Sequence, residues 1–164
     1  MNLPELKIGK LVAQVPIIQG GMAIRLSTAP LAAAVANEGG IGLIAASGMG
    51  LDELRKEIRM ARELTGGKGI IGINAMVAAR QFLDLITTAA EEGIDLIVAG
   101  AGFSRDIFAV GKKYGVEVVP IVSSARLAQT AEKLGASAVV VEGTEAGGHL
   151  GTQQSIKEIL PEVI

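Results

Sequence analysis

Six short apolar runs recur along the 164-residue chain, separated by longer stretches in which apolar residues return every three or four positions. The runs are residues 15–19, 41–45, 70–76, 96–99, 117–122 and 138–142. They are nearly continuous in apolar character and rich in Ile and Val. Strands buried on both faces look like this, as in a parallel sheet covered by helices. The segments 27–38, 51–64, 81–92, 105–114 and 124–134 have helical spacing. Ser27 and Ser124 stand where N-caps belong, and Asp52 and Glu53 suit the amino end of the second helix. Four stretches share one layout: "AVANEGGIGLIAASG", "AAEEGIDLIVAGAG", "GKKYGVEVVPIVSS" and "AEKLGASAVVVEG". In each, a helix end is followed by glycine, an apolar run and small or polar residues. Gly39, Gly93, Gly115 and Gly135 fit the position after a helix, where φ is positive. Residues 153–164 read as one more helix start, interrupted at Pro161.

Six βα units with no antiparallel hairpin signal leave two architectures. One is an open doubly wound sheet, which the pattern alone favours because it needs no further unit. The other is a (β/α)₈ barrel, which takes eight units and about 250 residues. There is no Gly/Ser linker and no low-complexity run, so residues 1–164 are expected to form a single domain. Composition narrows the function. Hydrophobic residues make up 49% and there are 22 glycines, so small residues can bring helices close to strands. Net charge is −2 and aromatics are 2%, which gives neither the basic field nor the stacking platform of a nucleic-acid binder. The chain has no cysteine and one histidine, which excludes disulfides, thiolate metal sites and histidine-rich metal sites within it. The opening "MNLPELKIGK" is too polar for a secretory signal, and no run of about 18 apolar residues suggests a membrane span. A cytoplasmic protein with no membrane partner is the expectation.

In both architectures ligands bind where strands end on their carboxyl side. The residues there are "QGGMA" (19–23), "ASGMG" (46–50), "NAM" (74–76), "GAGFS" (100–104), Ser123 and Ser124, and "EGTEAGGHLG" (142–151). They are rich in Gly, Asn, Gln and Ser and poor in charge, which suits a planar, hydrogen-bonding ligand. Gly20 and Gly21 fit either a tight turn or a close ligand approach. Asn74 sits inside an apolar strand, where an amide needs a partner, a neighbouring loop or a ligand. Met22, Met49 and Met76 read as core filler. Glu142 fits a satisfied acid at a strand end, and Glu145 a solvated one. "GAGFSR" resembles the start of a dinucleotide fingerprint, but Arg105 occupies the third glycine position, and no phosphate loop of the G-x-x-x-x-G-K-[ST] type occurs. His149 follows Gly147 and Gly148. With no second histidine, it is suited to proton transfer.

"PIIQGGMA", "GINAM", "GAG" and "EGTEAGGHLG", in this order over nearly the whole chain, resemble the nitronate monooxygenase (2-nitropropane dioxygenase) family. That family includes an FMN-dependent enoyl-acyl carrier protein reductase. The resemblance implies a TIM barrel, here roughly its first six βα units with the C-terminal part missing, and FMN at the carboxyl-side face. It implies that Gln19, Gly20, Gly21 and Met22 lie along the flavin, with Asn74 at the ring edge. Glu142, Gly147 and Gly148 would shape the pocket, and His149 would be the catalytic histidine. The implied reaction is oxidation of alkyl nitronates or nitroalkanes by oxygen. The alternative is NAD(P)H-dependent reduction of an enoyl thioester, and a further one is a non-catalytic barrel fragment. A small-molecule substrate is expected, and a homo-oligomer is compatible.

Overall fold

The chain begins with two short antiparallel strands, β1 (Leu6–Ile8) and β2 (Leu11–Ala13), joined through Gly9 and Lys10. The computed structural model describes residues 3–148 and 151–164, and only the backbone of residues 23 and 24. After the hairpin come β3 (Ile18–Gln19), α1 (Ala23–Leu26), α2 (Ala29–Asn37), β4 (Ile41–Ala45), α3 (Leu51–Leu64) and β5 (Ile70–Met76). Then follow α4 (Phe82–Glu91), β6 (Leu96–Gly100), α5 (Asp106–Tyr114), β7 (Glu117–Val122), α6 (Ala125–Lys133), β8 (Val140–Val141) and α7 (Ile156–Val163).

Strands β3 to β8 form one parallel sheet in chain order, each paired with its successor. A doubly wound sheet reverses its strand order at a switch point. This sheet does not, and its curled arc is a partial TIM barrel, not the open sheet that the pattern alone favoured. Alternation along the strands separates two cores. Ile41, Leu43, Leu96, Val98 and Val119 face the barrel interior. Ile44, Ile71, Ile73, Ile97 and Val118 face the helices, where Leu54, Ile58, Leu85, Ile86 and Ile107 meet them. Both faces are apolar, which is why the runs are continuous in sequence. On α3 the buried residues are Leu54, Ile58 and Ala61, spaced by four and three, while Lys56 and Arg59 between them are exposed. Fully burying a side chain such as Ile58 contributes about 2–3 kcal/mol.

Gly39, Gly93, Gly115 and Gly135 have φ between 68° and 93°, as the helix-end reading requires. Other expectations are corrected. The hairpin was unforeseen, although a Gly-X pair between "LKI" and "LVA" is a hairpin signal. It plugs the amino end of the barrel: Ile8 and Ala13 join the interior core, and the Lys10 N–H donates to Glu117 Oε1 at 3.1 Å. Ser27 does not cap a helix; it is fully buried, and α2 starts from Thr28. The Ala29 N–H at the start of α2 is satisfied by Glu57 Oε2 of α3 at 2.6 Å. Ser124 does cap α6, accepting from the Leu127 N–H. Pro161 does not interrupt α7. It removes one donor, but the Ser155–Glu158 capping box and the Ile164-to-Leu160 bond hold the helix on both sides. The end strands are shorter than expected, at two residues each. No described helix is long and apolar enough to cross a membrane.

Helix α2 lies almost directly on β4. Its buried face is Ala29, Ala32, Ala33 and Ala36, and a Cβ built on Gly42 would stand 2.6 Å from Ala32 Cα. Backbone cannot yield as a side-chain tip does. Gly42→Ala is therefore expected to lower the unfolding free energy by about 2–3 kcal/mol, read as a lower urea midpoint at unchanged slope.

Candidate functional site

The amino end of the barrel interior is plugged by the hairpin and the carboxyl end is open. A cavity of about 830 Å³ occupies that end. Its floor is aliphatic: Ile18, Leu43, Val98, Ile121 and Val140. Its upper wall comes from the strand tips, with Gly20, Gly21 and Met22 after β3, Ser47 after β4, and Asn74 and Met76 on β5. Gly100 and Ala101 at β6, Glu142 after β8, and Gly147 and Gly148 complete it.

Parallel register sets the heights. Ala45 is level with Asn74, Asn74 with Val98, and Met76 with Gly100. Asn74 thus points inward with the floor residues, one step from the sheet's end. Its main-chain carbonyl accepts from the Ala46 N–H at 2.9 Å. Among the described residues its side chain makes one long bond, Nδ2 to the Val98 carbonyl at 3.5 Å. That leaves the carboxamide available to a ligand. Gly21 lies against it: a Cβ on Gly21 would stand 2.7 Å from Asn74 Oδ1. At Gly20, Gly147 and Gly148 a Cβ would meet nothing within 4 Å, so the wall is bare there.

Of the predicted site residues, the structure brings Gly20, Gly21, Met22, Asn74, Glu142, Gly147 and Gly148 onto one cavity. Gln19 stands behind the wall. Its Oε1 accepts from the Leu43 N–H at 3.2 Å, and its Nε2 donates to Ser27 Oγ at 3.0 Å and to the Gly20 carbonyl. Ser27 Oγ also accepts from the Met22 N–H at 2.8 Å, so this buried hydroxyl braces the Gly20–Met22 turn. His149 lies outside the described residues. The three methionines separate: Met22 and Met76 line the cavity, while Met49 is buried among the helices.

Ser47 and Ala101 went unmarked in sequence as individual residues. Ala101 has φ 51°, a left-handed conformation that costs a non-glycine residue of order 1 kcal/mol and clusters at functional sites. Nothing in an alanine's identity signals that. The floor was legible only as strand interior.

Glu142 is the only charged residue of the described wall. It accepts from the Gly151 N–H at 3.1 Å, while Ser123 Oγ donates to the Gly151 carbonyl at 3.2 Å. Glu145 is exposed but not merely solvated: it accepts from Ser155 Oγ and, at 3.0 Å, from the Ile156 N–H. The Thr144 N–H donates to the Gln154 carbonyl at 2.9 Å. The segment after β8 is thus tied back to α7 at several points.

A profile of the nitronate monooxygenase family matches residues 5–101 and 72–164. Among curated proteins, (3aS,4S,5R,7aS)-5-hydroxy-7a-methyl-1-oxo-octahydro-1H-indene-4-carboxyl-CoA dehydrogenase of Mycobacterium tuberculosis is 31% identical, over 91% of this chain and 41% of that protein. A probable nitronate monooxygenase of Staphylococcus aureus is 32% identical, over 90% of this chain and 51% of its own length. Among solved structures, FabK from Thermotoga maritima superposes with a TM-score of 0.86 at 36% identity, over 92% of this chain and 47% of the FabK chain. The chain spans about half the length of the curated relatives it matches.

The Ser155 hydroxyl, and then the Ile156 N–H, hold the Glu145 carboxyl below its ordinary range. A depressed folded value means that the tie to α7 is fully present above the unfolded value of about 4.3. It is lost as pH falls through the lower, folded one. The protection of the Ile156 amide, its exchange rate taken relative to the intrinsic rate at each pH, is expected to fall on acidification through that window, and Glu145→Gln to flatten the dependence.

Proposed function

The chain belongs to the nitronate monooxygenase family, and from that premise we propose that the protein is an FMN-dependent oxidoreductase oxidising alkyl nitronates and nitroalkanes with molecular oxygen. The observation that carries the reading is the cavity at the strand tips, bare at Gly20, Gly147 and Gly148 and edged by the available amide of Asn74. These residues fit a flat heterocycle. Where side chains are missing, a ring can lie against backbone. The Asn74 carboxamide offers a donor and an acceptor to a ring edge, and the strand fixes its height.

FMN, when bound, supplies an electron acceptor for the substrate and an electron donor for oxygen. The chain's own groups do the binding and the proton work. Met22, at the rim, offers a polarizable thioether to the ligand's face. Glu142 holds the backbone of Gly151, two residues beyond His149 in the chain. His149 takes the proton from the carbon bearing the nitro group, a role for which an imidazole titrating near neutrality is suited. The aliphatic floor excludes water beneath the site. In this reading residues 1–164 form one FMN-binding domain. The FMN phosphate would bind in the loops after the seventh and eighth strands of a complete barrel, two beyond the six barrel strands β3–β8 of this chain, where TIM barrels commonly hold one.

A second reading has one observation in its favour. The Mycobacterium tuberculosis relative is named for a carboxyl-CoA, a thioester. The same site would then reduce or oxidise an acyl thioester, with NAD(P)H as the reductant in the enoyl case. Anaerobic bleaching of the flavin by NADH supports this reading; nitronate-dependent oxygen uptake supports the first.

In the full-length protein, His149→Ala is expected to lower turnover on a neutral nitroalkane by about 10²-fold or more. Loss on the preformed nitronate should be much smaller, both being followed as oxygen uptake. Equal losses on the two substrates refute proton abstraction by His149. Asn74→Ala is expected to weaken FMN binding by roughly tenfold, the size of one lost hydrogen bond, measured by flavin fluorescence titration.

A further inference from the structure

We propose that Ser47 is a positioning residue of this site, its hydroxyl donating a hydrogen bond to an acceptor on the flavin edge beside the stretch that Asn74 serves. The inference rests on the FMN reading above. It begins where the sheet runs out. The last level pair of β4 and β5 is Ala45 with Asn74, and the Ala46 N–H still reaches the Asn74 carbonyl. The next inward residue of β5, Met76, has no β4 carbonyl left to meet. Its N–H donates instead to Ser47 Oγ at 2.8 Å, so a side chain extends the ladder by one rung.

That bond fixes the oxygen of Ser47 in the cavity wall and uses only an acceptor position. A serine hydroxyl has one hydrogen to give in addition. Among the described residues no protein acceptor takes it, and Ser47 is half-buried on the cavity. Asn74, on the adjacent strand, is the other polar side chain of this part of the wall, and its single long bond leaves it available. Two neighbouring strand tips thus present a hydroxyl donor and a carboxamide to the same space. An edge that alternates carbonyl oxygens and ring nitrogens, as a flavin's pyrimidine edge does, accepts from the first and exchanges hydrogen bonds with the second. If Ser47 only ended the ladder, losing its hydroxyl would cost stability and leave ligand binding alone.

The test compares the full-length protein with Ser47→Ala, Ser47→Cys and Ser47→Thr, reading FMN affinity by fluorescence titration, the visible spectrum of the bound flavin, and the unfolding midpoint without FMN. Ser47→Ala is expected to weaken FMN binding roughly five- to tenfold, the size of one hydrogen bond, and to shift the bound flavin's absorption. Ser47→Thr keeps the hydroxyl and should restore both. Ser47→Cys keeps a weak acceptor for Met76 and little donor strength, and should behave like Ser47→Ala even if the alanine variant fails to fold. Unchanged affinity and spectrum in the folded alanine or cysteine variant, with only the midpoint lowered, overturns the proposal and leaves the FMN reading standing. Failure of the unsubstituted protein to bind FMN overturns both.

Discussion

Each strand of the sheet is hydrogen-bonded in parallel to the strand that follows it in the chain, and the cavity mouth inherits its geometry from that ladder. Parallel pairing in chain order sends every carboxyl-side tip to one rim. The register then decides what stands level with what. A slip of one residue would turn Asn74 toward the helices and Ile73 into the interior, which the two apolar cores forbid. Burial of Leu43 and Leu96 therefore fixes a polar group several ångströms above them, level with Val98. The ladder sets the height of Asn74; the Ser27 hydroxyl then braces the turn that holds Gly21, and the Met76 N–H holds Ser47.

The same ladder constrains the outer layer. Helices on the convex face must sit close enough to cover Ile44, Ile71 and Ile73, and α2 achieves this with an all-alanine buried face against Gly42. Small residues serve the opposite purpose at the rim. At Gly21 the missing side chain admits Asn74, and at Gly20 and Gly147 it leaves the wall open. In the layer and at Gly21, glycine brings protein to protein; at Gly20 and Gly147 it keeps protein away.

Much of this was legible in the sequence because burial writes itself into composition. The central strands, β4 to β7, stand nearly where their apolar runs do, and the helix ends follow their glycines. What stayed hidden depended on partners distant in sequence. Ser27 has the residue type of a cap, but burial beside Gln19 and Met22 gives its hydroxyl other work. The donor that a cap would have satisfied at α2 goes to Glu57, 28 residues away. Gln19 looked like a ligand contact for its place in "QGGM", yet the short β3 needs that amide to reach the Leu43 N–H. Pattern alone did not distinguish an open sheet from a barrel, because both use the same buried strands. Strand order separates them, and it is a property of packing. Of the seven wall residues that sequence did single out, all but Met22 share one signature: small or polar residues in or after the end of an apolar run.

The acids at the mouth complete the picture by what they hold. The sequence reads Glu142 as a satisfied acid at a strand end and Glu145 as a solvated one; both in fact accept from backbone N–H groups, of Gly151 and Ile156. Their effect is to pin the ends of the segment after β8 to the strand on one side and to α7 on the other. Between those anchors, Gly147 and Gly148 line the cavity without side chains of their own. Ordering a loop around a ligand costs conformational entropy in proportion to the residues that must be fixed. Here the fold itself holds the two ends of that segment through Gly151 and Ile156 before any ligand arrives. Glu145, which stands off the cavity wall, contributes to that order through its bond to α7.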